Sequence, residues 1–212
     1  GNILAFTDAD GIPDENWLSI LHKRFKDPTI TVVGGGIDFP KSNYWTMADN
    51  INMFYEYYHE HKSGTRPMLP TLNLAIRRQV FESVGCFDER YPRPAGEDAD
   101  LTTRLRHAGH TLYLEPNAIV IHFPPRNTLK DLFKHSFYQG KYAIKVNPKY
   151  PKDNLPPIIR TRGGVLMALP LLSTGAALRI FRYRFLRQYW YTFPAIWLAK
   201  IAWCLGAATR PS

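Results

Sequence analysis

Cysteine is nearly absent from this 212-residue chain, which has only Cys86 and Cys204, far apart in sequence. Two such residues exclude a disulfide-stapled scaffold and a thiolate metal cluster, so the fold must rest on its own core. Acidic residues run short in one region only. Residues 123–212 carry 2 Asp/Glu against 15 Lys/Arg, whereas residues 1–122 carry 16 against 12. This asymmetry sets an acidic part beside a basic part suited to a polyanion, either nucleic acid or an anionic membrane surface. Apolar runs of full spanning length are missing as well. Residues 163–178 form an uncharged run of 16, short of the about 20 apolar residues a spanning helix needs. A second apolar, aromatic stretch at 189–199 is interrupted by Pro194 and followed by Lys200. No signal-peptide pattern opens the chain. It begins without Met, almost directly in strand-like sequence, and so reads as part of a longer protein.

What is present fits a globular domain with an appendage: 45% hydrophobic and 21% charged residues, with the aromatics crowding toward the C-terminal third. The most informative stretch is Thr7-Asp8-Ala9-Asp10-Gly11. The apolar run Ile3-Leu4-Ala5-Phe6 before it reads as a buried strand of a parallel sheet. Two carboxylates at the carboxyl end of such a strand lie where open α/β sheets bind ligands. Side chains alternate along extended chain, so Asp8 and Asp10 can share a side and converge on one cation. A hard divalent ion takes oxygen ligands and bridges carboxylates to a diphosphate. The competing reading is an ordinary Asp-rich turn.

Farther along, Asp14 is expected to cap a helix over 15–25 with Trp17, Leu18, Leu21 and Phe25 on its apolar face. A strand at 30–33 leads into Gly34-Gly35-Gly36, which permits a sharp bend or a close approach to a ligand. A helix over 44–59, a strand over 69–76 and a short helix ending at Gly85 follow. Gly96-Glu97-Asp98-Ala99-Asp100 then opens an amphipathic helix with Leu101, Leu105 and Ala108 on one face. Acids in a first turn ordinarily complement the helix dipole. Asp98 at the loop–helix junction can also be aimed into a cleft to accept a proton from a hydroxyl. Strands at 111–114 and 118–121 end at His122, another site suited to a metal ligand.

Together these stretches resemble the family 2 glycosyltransferases, inverting enzymes of the GT-A fold. The matching text is Phe6-Thr7-Asp8-Ala9-Asp10, Val33 to Gly36, Asn73-Leu74-Ala75-Ile76-Arg77-Arg78, and Val84 to Glu89. It continues through Gly96 to Leu101 with Arg104 and Leu105, then Ala108-Gly109, and ends with Ala118 to His122. The resemblance implies an α/β fold, a partial GT-A (Rossmann-like) domain with a mixed sheet over residues 1–126. The family's nucleotide-binding first half would precede residue 1. It further implies that Asp8 and Asp10 engage a divalent metal (Mn or Mg) and the diphosphate of a nucleotide-sugar donor, with His122 contacting metal or diphosphate. Asp98 would be the general base, Glu97 would neighbour the substrates, and Asn73 would line the sugar pocket unless it merely holds its strand. The implied activity is hexosyl transfer with inversion to a glycan or lipid-linked acceptor, in surface polysaccharide or glycolipid synthesis.

Residues 127–212 read as a helical, membrane-associated region. A basic amphipathic helix over 129–146 carries Lys130, Lys134, Lys141 and Lys145 among Leu132, Phe133, Phe137 and Tyr138. A proline-rich connector (Pro148, Pro151, Pro156, Pro157) follows, and an Arg-rich link over 179–187 joins the two apolar stretches. Two spanning helices would place that link opposite a cytosolic catalytic domain, against the positive-inside rule. Interfacial or re-entrant helices on an anionic leaflet, with the catalytic domain on the cytoplasmic side, fit both observations better. The tail lacks a recognisable nucleic-acid-binding fold, so no nucleic-acid partner is expected. A nucleic-acid-binding protein and a non-catalytic glycan-binding relic are the alternatives.

Overall fold

The computed structural model describes residues 1–146 and 161–209, which form two compact units. The first is Gly1–Pro40 with Glu56–Pro124; the second is Lys41–Tyr55 with Pro125–Ser212. The strands are β1 (Ile3–Thr7), β2 (Gly11–Pro13), β3 (Val32–Asp38), β4 (Gly64–Thr65), β5 (Asn73–Arg77) and β6 (Leu112–His122). The helices are α1 (Trp17–Arg24), α2 (Tyr44–Phe54), α3 (Arg78–Ser83), α4 (Glu97–His107), α5 (Leu129–Val146), α6 (Arg162–Ile180) and α7 (Phe193–Ala208). The expected proline-rich connector lies outside the described residues.

The first unit is a mixed sheet in the order β1-β5-β3-β6-β2, with β4 also on β6. Only β3 and β6 run parallel; the other pairings are antiparallel. Val32, Val33, Ile37, Leu74, Ile76, Leu112, Leu114 and Val120 are fully buried, together with Leu101 and Leu105 of α4. Each such side chain stabilises by roughly 1.5–3 kcal/mol, which fixes the strands whose ends carry the polar residues below.

Several expectations are corrected. β1 is an edge strand, antiparallel to β5 and only partly buried, because its one sheet neighbour covers one side alone. Helix α1 starts at Trp17 with Asn16 at its cap; Asp14 instead accepts a 2.9 Å bond from the Asn16 N–H, forming a turn one step earlier. Leu18 is 60% exposed, and Ala108 is exposed too. Gly34 to Gly36 make no sharp bend: they lie within β3 with ordinary φ, and a Cβ would meet Leu69 at Gly34, Ala118 O and Asn73 at Gly35, and Pro116 O at Gly36. Their role is close packing against protein rather than approach to a ligand. The two strands expected over 111–121 are one, β6, whose parallel register with β3 shifts opposite Gly35 and Gly36. That irregularity accommodates Pro116, which cannot donate to a ladder. The helix expected over 44–59 ends at Phe54 and gives way to one 3₁₀ turn, Tyr55–Tyr57.

The second unit is helical. Asn43 caps α2 by accepting 3.0 Å bonds from the N–H groups of Trp45 and Thr46. Helix α7 packs against both α5 and α6. At its crossing with α5 the backbones nearly touch: a Cβ on Gly140 would lie 1.9 Å from Trp203 O, and one on Gly206 1.9 Å from Phe137 O. Such glycine-mediated approach is the packing mode of helices in apolar surroundings. A 3₁₀ segment, Arg184–Thr192, links α6 to α7. Among the described residues α6 is the helix long and apolar enough to cross a membrane; 28% of that stretch is buried.

Inside this unit Asp49 of α2 is fully buried. Its carboxylate accepts from His135 Nδ1 at 2.8 Å and forms a close ion pair with Arg126. Burial alone would raise the Asp49 pKa, but His135 and then Arg126 outweigh it and hold the carboxyl below its usual range.

Candidate active site

Three polar residues converge at one end of the sheet. β1 delivers Asp8 and Asp10 into a tight turn closed by the Gly11 N–H donating to Asp8 O at 3.0 Å. β2 then pairs with β6 so that Gly11 lies opposite His122, and the Phe123 N–H donates to Asp10 O at 2.8 Å. This register sets the His122 Nε2 3.6 Å from Asp10 Oδ1. Ligand atoms of Asp8, Asp10 and His122 all lie within 4.8 Å of one another. Asp8 is exposed, Asp10 is partly exposed and His122 is 2% exposed. Two carboxylates and an imidazole are a donor set that fits a divalent cation. Gly11 is a part of this site that sequence reasoning passed over. A Cβ there would lie 2.8 Å from Thr7 Oγ1 and 2.9 Å from Val120 Cγ1, so any larger residue would have to displace one of these side chains as β2 closes on β6. The visible signal was a glycine directly after Asp-x-Asp.

Helix α4 begins after Gly96, which is left-handed with φ of 92°. Asp98 is half-buried, and its Oδ1 accepts from the Ala99 N–H at 2.7 Å. Burial first, then the nearby charge of Asp8, pushes its carboxyl up to about 6. Glu97 is also half-buried, and among the described residues its Oε2 has no hydrogen-bond partner. Burial, then Asp98, and more weakly Asp8, push it up to about 7. Glu97 and Asp98, with the charge of Asp8 bearing on both, thus form one electrostatically coupled acidic group, a field that a cation relieves. Asp100 differs. It is fully buried and pairs at 2.8 Å with Arg104, which also donates to Val84 O and, at 2.7 Å, to Cys86 O. Its work is to hold the loop between α3 and α4.

Of the two places left open for Asn73, its hydrogen bonds are those of a residue that holds its strand. Its side chain is fully buried: Nδ2 donates at 2.8 Å to both Gly36 O and Ala118 O, and Oδ1 accepts at 2.8 Å from Trp17 Nε1. Both amide hydrogens are spent tying β5 to β3 and β6. Sequence reading also missed Asp38 and His59. Asp38 ends β3 opposite Ile121, and His59 Nε2 lies 3.4 Å from its Oδ1. The Asp38 hydrogen bond raises the His59 pKa above its ordinary value.

The chain resembles the GT-A glycosyltransferases in sequence and, as a mixed sheet with helices, in fold. Pre-mycofactocin glycosyltransferase of Mycobacterium tuberculosis (strains CDC 1551 / Oshkosh and ATCC 25618 / H37Rv) is 31% identical over 183 residues, covering 84% of this chain and 38% of that protein. Glycosyltransferase AglE of Haloferax volcanii is 31% identical over 146 residues, covering 69% of this chain and 47% of AglE. The chain therefore spans less than half the length of these relatives. A mannosyltransferase of Pyrobaculum calidifontis, solved with GDP-Man and Mn²⁺, superposes with a TM-score of 0.50 at 17% identity, over 94% of this chain and 61% of that one. No protein-family model matches. A match over 84% of the chain extends well into the helical unit, so the resemblance is not confined to the sheet.

Proposed function

We propose that the protein is a metal-assisted, inverting glycosyltransferase of the family 2 type. It transfers a hexose from a nucleotide-diphosphate sugar to a saccharide or lipid-linked acceptor in surface polysaccharide or glycolipid synthesis. The convergence of Asp8, Asp10 and His122 within 4.8 Å carries this reading. These three would hold Mn²⁺ or Mg²⁺. A cation there neutralises charge developing on a diphosphate leaving group.

Asp98 is assigned as the general base. The acceptor hydroxyl gives its proton to the Asp98 carboxylate, its oxygen bonds to the anomeric carbon, and the bond from that carbon to the diphosphate breaks, releasing a nucleoside diphosphate. A carboxyl pushed up to about 6 is ionised near neutral pH yet more basic than an ordinary aspartate, as proton abstraction requires. Glu97 borders the substrates beside the base, its carboxyl pushed up to about 7 and so about half protonated near neutral pH. Asn73 serves as a positioning residue, bracing the strands under the acidic turn. The basic helical unit, residues 127–212 together with α2, associates with a membrane surface and keeps the catalytic part on the cytoplasmic side.

The test uses the native protein in its membranes, offered common nucleotide sugars with EDTA or with added Mn²⁺. Metal-dependent release of a nucleoside diphosphate is expected. No turnover with any donor moves the weight to a binding role.

A further inference from the structure

Helix α5 has three stripes at one-turn spacing. Leu132, Ser136 and Gly140 face inward and are buried. Leu129 and Phe133 are 42% and 37% exposed and, with Phe137, form an outward apolar stripe. Lys130 and Lys134 stand beside it. An outward helix face ordinarily carries mixed charge rather than large apolar side chains. Leu198 of α7 completes the wall of an open groove of about 940 Å³ lined by these residues.

We propose that this groove is a docking site for an anionic phospholipid of a bilayer leaflet. Its acyl chain lies along Leu129, Phe133, Phe137 and Leu198, and its phosphate meets Lys130 and Lys134. Charge complementarity selects that occupant. Residues 123–212 carry 15 Lys/Arg and 2 Asp/Glu, and one of those acids, Asp131, accepts 2.7 Å from Thr128 Oγ1 at the start of α5. Exposed apolar side chains recur elsewhere in the unit, and one group of them lies in an arginine-bearing segment. Met167 and Leu171 of α6 are 84% and 78% exposed, and Trp190 and Tyr191 are half-exposed in the segment that carries Arg184 and Arg187. Exposed Trp and Tyr beside arginines are the chemistry of a membrane interface. A protein-binding site would concentrate its apolar surface in one patch with a polar rim. The inference rests on the membrane-associated reading above and names where lipid is held.

Vesicle flotation tests it, using phosphatidylcholine alone or doped with phosphatidylglycerol. The protein is expected to float with anionic vesicles and not with neutral ones. The paired change Lys130→Glu and Lys134→Glu should weaken that binding by about tenfold or more. Phe133→Ser, at an exposed position that leaves the interior intact, should weaken it as well; circular dichroism checks that both variants fold. An environment-sensitive dye on the thiol of the variant Phe133→Cys, in a Cys86→Ser background, should shift to the blue on anionic vesicles. Equal binding to both vesicle types, binding untouched by either variant, or no vesicle binding at all overturns the proposal. Donor turnover is read separately. Lipid binding without turnover overturns the transferase reading alone, and turnover without lipid binding overturns the groove alone.

Discussion

Asp49 in the helical unit and Asp98 in the sheet unit are both withdrawn from water, and they are treated oppositely. Asp49 has a histidine and an arginine against its two oxygens and stays below the usual carboxylate range. Asp98 accepts from backbone N–H groups, Ala99's at 2.7 Å, has the charge of Asp8 nearby, and is pushed up to about 6. A carboxylate neutralised on site is part of the architecture. One that burial and neighbouring acids push upward is the kind of group that clusters where ligands bind. Asp100 lies two residues beyond Asp98 along the same helix, yet with Arg104 at 2.8 Å it falls on the architectural side. Charge partners, not sequence proximity, separate the two classes.

Exchanging each carboxylate for its amide breaks the comparison most sharply. In the native protein Asp98→Asn should lower transfer by about 10²–10⁴-fold, the range for loss of a positioned base, while the protein stays folded. Turnover near the parent level would remove Asp98 from the mechanism. Asp49→Asn should do the reverse. It leaves Arg126 and His135 without their counter-charge, and urea unfolding should show a loss of about 3–5 kcal/mol. An unchanged urea midpoint would mean that Asp49 contributes nothing net.

The next test uses pH. The folded pKa values of Glu97 and Asp98, about 7 and about 6, lie above their ordinary 4.5 and 3.8. The folded state therefore holds these protons where the unfolded chain has released them. Stability is fully present below pH 4 on this account and is lost as pH rises toward 7. His59, also raised, adds a loss above its ordinary 6.5. Asp49 runs the other way: its contribution is present above 3.8 and is lost as pH falls through its lowered value. Glu97→Gln should flatten the decline in melting temperature between pH 5 and pH 8. An unaltered slope would show that Glu97 does not titrate there.

The contrast also explains what was legible in sequence. The acidic turn, the Glu-Asp pair and His122 were visible because a site's chemistry depends on residue type, and their order along the chain matched a known series. The register that sets His122 against Asp10 was not visible, since it comes from β2 folding back on β6. β1 read as buried because its apolar run looks the same at an edge as in a sheet centre. Gly34 to Gly36 read as a bend because nothing local says that Leu69, Ala118 and Pro116 will crowd that strand. The ion pairs of Asp49 were hidden for the same reason, with partners 77 and 86 residues away. Helix α2 looked like part of the sheet domain by position and groups instead with the C-terminal helices, whose apolar faces it shares.

Within the helical unit, Gly140 and Gly206 separate close backbone packing from ordinary side-chain packing. Gly206→Ala puts a methyl where Phe137 O now lies 1.9 Å away, and backbone cannot yield as a side-chain tip can. The helices must part, and a loss of about 1–3 kcal/mol is expected by urea unfolding. Gly163, whose added Cβ would meet nothing within 4 Å, supplies the control. Gly163→Ala should stabilise by about 0.5–1 kcal/mol through helix propensity. Equal effects at the two positions would mean that the α5–α7 crossing is loose enough to accept a methyl.

The smallest effect belongs to Cys86, which sits left-handed at φ 58° directly after Gly85 at φ 87°. A β-carbon in that region costs about 1–2 kcal/mol, and here the surroundings enforce it. The Cys86 N–H donates to Phe81 O at 3.1 Å, and Cys86 O accepts from Arg104, the residue that Asp100 holds. Cys86→Gly relieves the strain but adds freedom to the unfolded chain, so a net gain of under about 1 kcal/mol is expected. In an Asp100→Asn background the clamp that fixes this turn is weakened and the same substitution should gain less. Equal gains in both backgrounds would show that the strain at Cys86 is set by Gly85 and α3 alone, without the Asp100–Arg104 pair.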